Sequence, residues 1–203
     1  MGPEEPIWRD FKRYQLALRL MRHQARTRTI SVLTNLTRHQ LATLRQRWRV
    51  PQDMRHRGPA PQSLAVFFRS PRARSEGAAL AVLCRRYNAI PPWRSPGSPK
   101  DLLSLELGEQ LCLVFEVYRS CCPASKIEFE QLLLLAIGLA KSDEIALSRC
   151  VGCRGIILVD RFSIPRHTCS HCEAIDGVRA RLMPGANSAS GFPAPEPMPP
   201  ELA

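Results

Sequence analysis

Four cysteines near the C-terminal end form the pattern in this chain that is most specific for chemistry. They lie in the stretch CVGCRGIILVDRFSIPRHTCSHC, as two C-x2-C pairs separated by fifteen residues. Two thiolates two residues apart can chelate one ion from a tight turn, and a second such pair completes the tetrahedron that zinc prefers. We therefore predict one Zn²⁺ bound by Cys150, Cys153, Cys169 and Cys172. Four protein ligands leave no position for water, so the zinc is predicted to be structural.

Other uses of these cysteines are disfavoured by their surroundings. Two disulfides need an oxidising compartment, and the N-terminal residues lack the pattern of a signal peptide, which predicts a cytoplasmic protein with reduced thiols. A thioredoxin-like site needs a βαβ context, and a zinc deaminase needs an upstream H-x-E, which is absent. His167 and His171 could each replace a cysteine as ligand. The four cysteines at standard spacing are preferred, which places both histidines beside the site or on the surface.

The chain has four further cysteines: Cys84, Cys112, Cys121 and Cys122. All four lie in helical runs among apolar neighbours. We predict that they are small buried hydrophobic residues.

The elements around the cysteine module are predicted to be mainly α-helical. Apolar residues recur at helical intervals over 8–50, 76–88, 101–120 and 125–148, with Pro-containing loops at 50–63 and 90–100 and one strand over 155–160. The corresponding domains are a basic helical DNA-binding region (1–95), a helical core and partner-contact region (96–148), a small four-cysteine zinc-ribbon-like module (149–175) and a disordered Pro-rich tail (176–203). No apolar run is long enough to span a membrane, so no membrane association is expected.

Charge is distributed unevenly along the sequence. Residues 1–100 contain 20 basic and 5 acidic residues, whereas residues 101–203 contain 9 basic and 13 acidic ones. The net charges of these two parts are therefore +15 and −4, and most of the cations are arginines. A bias of the genome towards arginine codons explains arginine over lysine but leaves the asymmetry unexplained. The distribution favours a first half that binds a polyanion and a second half that contacts protein.

The segment NLTRHQLATLRQRWR (35–49) carries the signature of a capped helix. Thr37 and Gln40 form a capping box, T-x-x-Q, which predicts a helix that begins at Arg38. The preceding segment is also helical in pattern, so the outline is that of a helix-turn-helix. Leu41, Leu44 and Trp48 are predicted to share one apolar stripe.

Polar residues occupy the opposite face of this helix and suit DNA. The predicted DNA-binding residues are Arg38, His39, Thr43, Gln46, Arg47 and Arg49 on the helix, with Arg55 and Arg57 in the basic loop that follows. Short polar groups and amides can read base edges, and guanidinium groups at the rim can reach phosphates. An ordinary amphipathic helix with a solvated basic face remains the alternative.

No catalytic constellation stands out in the sequence. It contains no Gly-rich phosphate loop, no G-x-S-x-G and no pair of carboxylates at an informative spacing. We therefore predict a protein that is not an enzyme and has no small-molecule substrate.

The order of these features resembles the FlhC family, the C subunit of the bacterial flagellar master transcriptional activator. The resemblance covers about residues 10–173 and is sharpest in the cysteine module. It is fair over QLALRLMRHQARTRTISVLTNLTRHQLATLRQRW and diffuse between Glu76 and Ser148. It implies one zinc bound by the four cysteines, an FlhD-like partner subunit in a heterohexamer, binding to double-stranded promoter DNA and recruitment of RNA polymerase. The Pro-rich tail has no counterpart in the family, so the chain resembles an atypical or second-copy member.

Two functions follow as expectations. The first is a DNA-binding, zinc-containing subunit of a transcriptional activator complex that regulates flagellar or motility promoters. The second is a zinc-ribbon module that binds RNA or the transcription or translation machinery without recognising a promoter sequence. The cysteine module fits both, and the capped basic helix favours the first.

Overall fold

The structure, a computed structural model, describes residues 6–51, 59–91, 104–163 and 167–182. These residues form a mainly helical fold with one two-stranded sheet, as the sequence predicts. The helices are α1 (Pro6–Arg22), α2 (Thr27–Thr34), α3 (Arg38–Arg47), α4 (Pro71–Arg86), α5 (Leu105–Cys121), α6 (Phe129–Lys141) and α7 (Ser170–Leu182). The strands are β1 (Ile145–Arg149) and β2 (Ile156–Asp160), and a short 3₁₀ helix, Leu64–Phe67, precedes α4.

Capping residues fix where several helices begin. The Thr37 hydroxyl accepts a hydrogen bond from the N–H of Gln40, whose side chain accepts one from the N–H of Thr37, so the predicted capping box and the predicted start of α3 are confirmed. α4 begins at Pro71 with Ser70 as its cap, five residues before the start expected from apolar periodicity. The earlier start follows from chemistry at the cap, because proline suits the first turn and serine satisfies an amide left free there.

One hydrophobic core joins the elements from α1 to β2. Leu16 and Leu20 of α1, Leu80 of α4, Leu111 of α5 and Leu132 of α6 are all fully buried within it. Gly108 of α5 allows α1 to approach closely, since a Cβ at this position would lie 2.6 Å from a methyl of Leu16. Residues that the sequence assigned to two successive regions therefore share one core, and the proposed boundary between those regions remains a prediction.

The helix predicted over 125–148 is wrong in its last part. α6 ends at Lys141, where Ser142 adopts a left-handed conformation with φ 57°, and the chain then forms β1. β1 pairs antiparallel with β2, with Ile145 opposite Asp160 and Arg149 opposite Ile156. Periodicity did not reveal this strand because its pairing partner lies beyond the first cysteine pair.

The last helix lies where no helix was predicted. α7 runs from Ser170 to Leu182 and so extends through the first seven residues of the segment assigned to the tail. The rest of that segment, 183–203, is outside the described residues. Among the described residues, no helix combines the length and the apolar character needed to cross a membrane.

Candidate metal centre and basic helix

The structure brings the four predicted zinc ligands together. The Sγ atoms of Cys150, Cys153, Cys169 and Cys172 all lie within 4.8 Å of one another, and those of Cys153 and Cys169 are 3.6 Å apart. A tetrahedral zinc with Zn–S distances of about 2.3 Å requires sulfurs about 3.8 Å apart. None of the four is in a disulfide. The donor set and its spacing therefore fit a closed four-thiolate metal site.

Local backbone structure builds the first half of this cage. The N–H of Cys150 donates to the carbonyl oxygen of Gly155 at 2.8 Å, and the N–H of Arg154 donates to that of Cys150 at 2.9 Å. Arg154 is in the left-handed region with φ 61°, which closes the turn between β1 and β2. The first cysteine pair thus occupies the loop of the β1–β2 hairpin, and the strands hold it in place.

A helix N-terminus builds the second half. Cys169 immediately precedes α7, and its carbonyl accepts from the N–H of Glu173 at 3.0 Å, while Cys172 lies in the first turn. The positive end of the helix dipole favours thiolates at these positions. The N–H of Val151 donates to the carbonyl of His167 at 3.0 Å and ties the two halves together.

Hydrogen bonds around the sulfurs distribute negative charge within the cluster. Burial opposes the ionisation of Cys150, but backbone N–H groups of Cys153, Cys169 and Gly152 outweigh it and lower its pKa to about 6. The N–H of Cys169 lies 3.2 Å from this sulfur. Hydrogen bonding with Cys169 and burial raise the pKa of Cys172 to about 12. Cys150 therefore carries charge more readily than Cys172.

Two glycines leave room for the cage. A Cβ on Gly152 would lie 3.0 Å from Sγ of Cys172 and 3.8 Å from Sγ of Cys150. A Cβ on Gly155 would lie 3.3 Å from Sγ of Cys153. The glycine inside the first pair is therefore the more tightly restricted of the two.

The cysteine module is docked on α4 by packing and by an ion pair. Leu158 of β2 is buried, and one of its methyls lies 3.2 Å from the position of a Cβ on Gly77. The guanidinium of Arg74 binds both carboxylate oxygens of Glu173 on α7, with one contact at 2.9 Å. The hydrogen bond to Glu173 raises the pKa of Arg74. The cage is thus fixed to the helical core and is not an independent appendage.

The remaining cysteines and histidines divide into buried and exposed residues. Cys84 and Cys112 are fully buried, and burial raises the pKa of each thiol to about 12, as suits inert core residues. The prediction is wrong for Cys121, which is exposed, and for Cys122, which is half-buried, because α5 ends between them. Neither histidine is among the four clustered ligands. His171 is exposed, and Nδ1 of His167 is buried without a hydrogen-bond partner among the described residues.

Helices α2 and α3 form a helix-turn-helix whose start is held by buried polar contacts. The carboxylate of Glu130, on α6, accepts from the N–H of Arg26 at 2.7 Å and from the hydroxyl of Thr29 at 2.8 Å. The side chain of Glu130 thereby satisfies amide and hydroxyl groups at the N-terminus of α2. Arg45 of α3 is 8% exposed, and its guanidinium donates to the hydroxyl of Thr27 at 3.0 Å. The basic residue pattern of α3 did not reveal that one of its arginines is internal.

The predicted DNA-binding residues of α3 lie on two different surfaces. Arg38 and Gln46 are exposed in a row along the helix, and the exposed Arg49 follows the helix end with φ 47°. His39, Thr43 and Arg47 instead line a groove of about 1120 Å³ between α1, α3 and α5. The other two, Arg55 and Arg57, lie outside the described residues.

This groove, which we call the α1–α3 groove, has exposed aromatic walls. Phe11 and Tyr14 of α1 line one side, and Trp48 lines the other and is 61% exposed. Leu41 and Leu44 of the predicted apolar stripe are buried, whereas Trp48 lies in the groove that Leu44 also lines. Trp48 is the C-cap of α3, and its N–H still donates to the carbonyl of Leu44 at 3.0 Å, so its side chain follows Leu44 at the exposed end of the helix.

Within the α1–α3 groove, charged side chains of α1 and α5 pair with one another. The guanidinium of Arg19 contacts a carboxylate oxygen of Glu109 at 2.6 Å and both oxygens of Glu116, while Nε2 of His23 lies 2.8 Å from Glu116. The hydrogen bond from Arg19 lowers the pKa of Glu116, and burial lowers that of His23. Arg19 therefore offsets one of the two carboxylate charges within the chain.

Comparisons with known proteins add no assignment. No family model matches the sequence, and no curated protein matches it. Functional inference therefore rests on the residues and on their geometry.

Proposed function

We propose that this chain is the DNA-binding, zinc-containing subunit of a bacterial transcriptional activator complex of the FlhDC type, which acts in the cytoplasm on flagellar or motility promoters. The observation that carries the proposal is the capped helix α3, which follows α2 after a short turn and presents Arg38 and Gln46 in one exposed row. The side-chain amide of Gln46 lies between arginines along the chain. This arrangement suits a helix in a major groove, because amides read adenine and guanidinium groups reach phosphates.

The electrostatics support the same proposal. The N-terminal hundred residues carry 20 basic and 5 acidic side chains, and the exposed arginines of α2 and α3 belong to this excess. Arg19 pairs with Glu109 and Glu116, the acidic residues of α5 that line the α1–α3 groove, and so cancels part of the negative charge beside α3. Neutralisation of phosphates releases counterions, and we expect binding to weaken steeply with added salt.

The metal has a mechanical role in this proposal. A closed zinc cage has no coordination position for substrate, so its contribution is to hold β2 and α7 against α4. When bound, zinc would supply rigid cross-linking of the two cysteine pairs, and no catalysed step is required. The α1–α3 groove contains Trp48 and two aromatic residues of α1. It would offer an FlhD-like subunit a partly apolar surface close to the exposed row of Arg38 and Gln46.

Anisotropy titrations with a promoter fragment and with a random fragment of equal length test the assignment of α3. They use the full zinc-loaded chain together with a co-expressed FlhD-like protein. Arg38→Ala should weaken both affinities alike and lower the salt slope by about 1. Gln46→Ala should lower promoter affinity by about 5- to 150-fold and leave random DNA unchanged.

Arg86→Ala is the matched control, because Arg86 is an exposed arginine at the far end of α4. It should change neither affinity by more than about twofold. Equal losses for all three variants on both fragments would contradict the assignment of the reading surface.

The second candidate, a zinc module for RNA or for the transcription or translation machinery, is favoured by one observation. Phe162 is 79% exposed in the loop after β2, so the module presents an aromatic side chain to solvent. Exposed aromatic residues stack on unpaired bases. In the same assay, Phe162→Ala should then weaken single-stranded RNA binding and Gln46→Ala should not.

A further inference from the structure

In the part of the chain that the structure describes, strand β2 has one paired edge and one open edge. The N–H of Cys150 donates to Gly155 and that of Arg161 donates to Glu144, each at 2.8 Å, and these bonds bracket the β1–β2 ladder. Main-chain groups of alternate residues point to the same side of a strand. The odd-numbered positions of β2 therefore face β1. The N–H and C=O groups of Ile156, Leu158 and Asp160 face away from it, and within the described residues the sheet has no third strand to receive them.

A groove of about 950 Å³ follows this open edge. All five residues of β2 line it and no residue of β1 does. Because side chains of a strand alternate between its two faces, lining by all five places the groove along the edge rather than over one face. Ala79, Val82 and Leu83 of α4 form the opposite wall. We call this feature the β2–α4 groove.

The charges in the β2–α4 groove select the kind of occupant. Among the described residues that line it, the charged ones are Arg74 and Asp160. Arg74 is bound to Glu173, and the carboxylate of Asp160 accepts from the N–H of Phe162 at 2.9 Å. Both charges are thus engaged within the chain. Cys169 also lines the groove, and its sulfur belongs to the cysteine cage; the remaining lining is apolar or uncharged. Complementarity therefore favours an occupant without charge.

The shape of the groove selects a single extended chain. A strand of five residues spans about 17 Å, which matches the length of β2. α4 forms the other wall of the groove, so the space beside β2 is bounded on both sides and suits one extended chain. The edge is also preformed, since Leu158 is anchored in the core and Gly155 is held in the cage.

We propose that an extended, uncharged segment of a partner protein adds to the open edge of β2 as a third strand, with alternate apolar side chains against α4. Main-chain hydrogen bonds to positions 156, 158 and 160 supply affinity, and the apolar wall of α4 supplies selectivity. This inference is independent of DNA binding by α3.

Amide hydrogen exchange measured by NMR on the full zinc-loaded chain tests the proposal. The probe is the blocked peptide Thr-Val-Thr-Val-Thr-Val, and the control peptide has lysine in place of each valine. The valine peptide should slow exchange at Ile156, Leu158 and Asp160 by at least about tenfold, because those amides gain acceptors. The amides of Ile157 and Val159 already face β1 and should change by less than about twofold. The lysine peptide should protect none of them.

Two variants separate the groove from a general surface effect. Ala79 is exposed on α4 and lines the groove, so Ala79→Trp should fill it and lower peptide affinity at least about tenfold. Ala174 is exposed on α7 and is absent from the lining, so Ala174→Trp should leave affinity within about twofold. If the NMR spectrum of Ala79→Trp is not that of a folded protein, Ala79→Arg replaces it as the variant that fills the groove.

Three results would overturn the proposal. The first is the absence of protection at millimolar valine peptide. The second is protection of the three amides in the free chain that is lost when residues 183–203 are removed, which would make the chain's own C-terminal segment the occupant. The third is protection that grows with protein concentration alone, which would indicate pairing between two copies.

Discussion

Replacement of Gly152 by alanine tests the geometry of the cysteine cage directly. The added Cβ would lie 3.0 Å from Sγ of Cys172 and 3.4 Å from its Cβ, well inside the ordinary contact distance of about 3.5–4.0 Å. A metal ligand cannot move aside without lengthening its bond, so the clash acts on the metal site itself. Neither Gly152 nor Gly155 has the positive φ that would strain alanine.

The expected magnitude follows from the cost of overpacking. Extra methyl groups in a filled site cost about 1–3 kcal/mol, which corresponds to a loss of zinc affinity of about 5- to 150-fold. Gly155→Ala is the matched control, because its Cβ would meet a single sulfur at 3.3 Å. We expect it to lower zinc affinity by less than about fivefold, since this one contact is longer than the 3.0 Å contact at Gly152 and involves no second atom of the ligand.

The assay is competition for Zn²⁺ between the reduced protein and a chromophoric chelator at neutral pH. Circular dichroism of the zinc-loaded variants confirms that helix content is retained. Unchanged zinc affinity in Gly152→Ala would refute the assigned geometry. Equal losses in both variants would show that glycine flexibility, and not the contact with Cys172, is what the cage requires.

Three further predictions concern the supports of the site. Glu130→Ala should lower the free energy of unfolding by about 2–4 kcal/mol in denaturant titrations, because it leaves two donors at the N-terminus of α2 without an acceptor; a loss no larger than that of an exposed substitution would contradict this. Arg74→Met should speed amide exchange in α7 about fivefold, for the loss of about 1 kcal/mol, and leave zinc affinity within about twofold. Burial lowers the pKa of His23, although its bond to Glu116 acts the other way, so the unfolded chain binds more protons below the ordinary pKa of about 6.5. The free energy of unfolding should therefore fall as the pH drops through that value. A His23→Gln variant whose stability changes with pH by the same amount would show that another group causes this dependence.

The local motifs of this chain could be predicted from sequence because neighbouring residues define them. The capping box of Thr37 and Gln40 forms, and α3 begins at Arg38, as the T-x-x-Q pattern predicts. The four cysteines form a cluster because each pair can bind from one turn of backbone, whatever the surrounding fold. Such signals involve residues three or four positions apart, over which backbone geometry is nearly fixed.

Features that depend on distant partners were beyond the sequence. β1 was predicted to continue a helix, because IALSR becomes a strand only when β2 returns to pair with it. Trp48 was predicted to share an apolar stripe with Leu41 and Leu44, but its exposure depends on α1, which forms the other wall of an open groove. α7 begins where the second cysteine pair and Glu173 place it against α4, and its own apolar pattern is weak.

The cysteine cage, the mainly helical class and the capped helix-turn-helix could thus be predicted from the residues, because each depends on short-range chemistry. The division of the surface could not, because it follows from how the helices pack. Their packing placed His39, Thr43 and Arg47 in an aromatic groove and left Arg38 and Gln46 in an open row. It also left one edge of β2 beside α4 without a strand partner in the described chain. These outcomes depend on which helices pack together, and packing is set by the whole core rather than by any local run of residues.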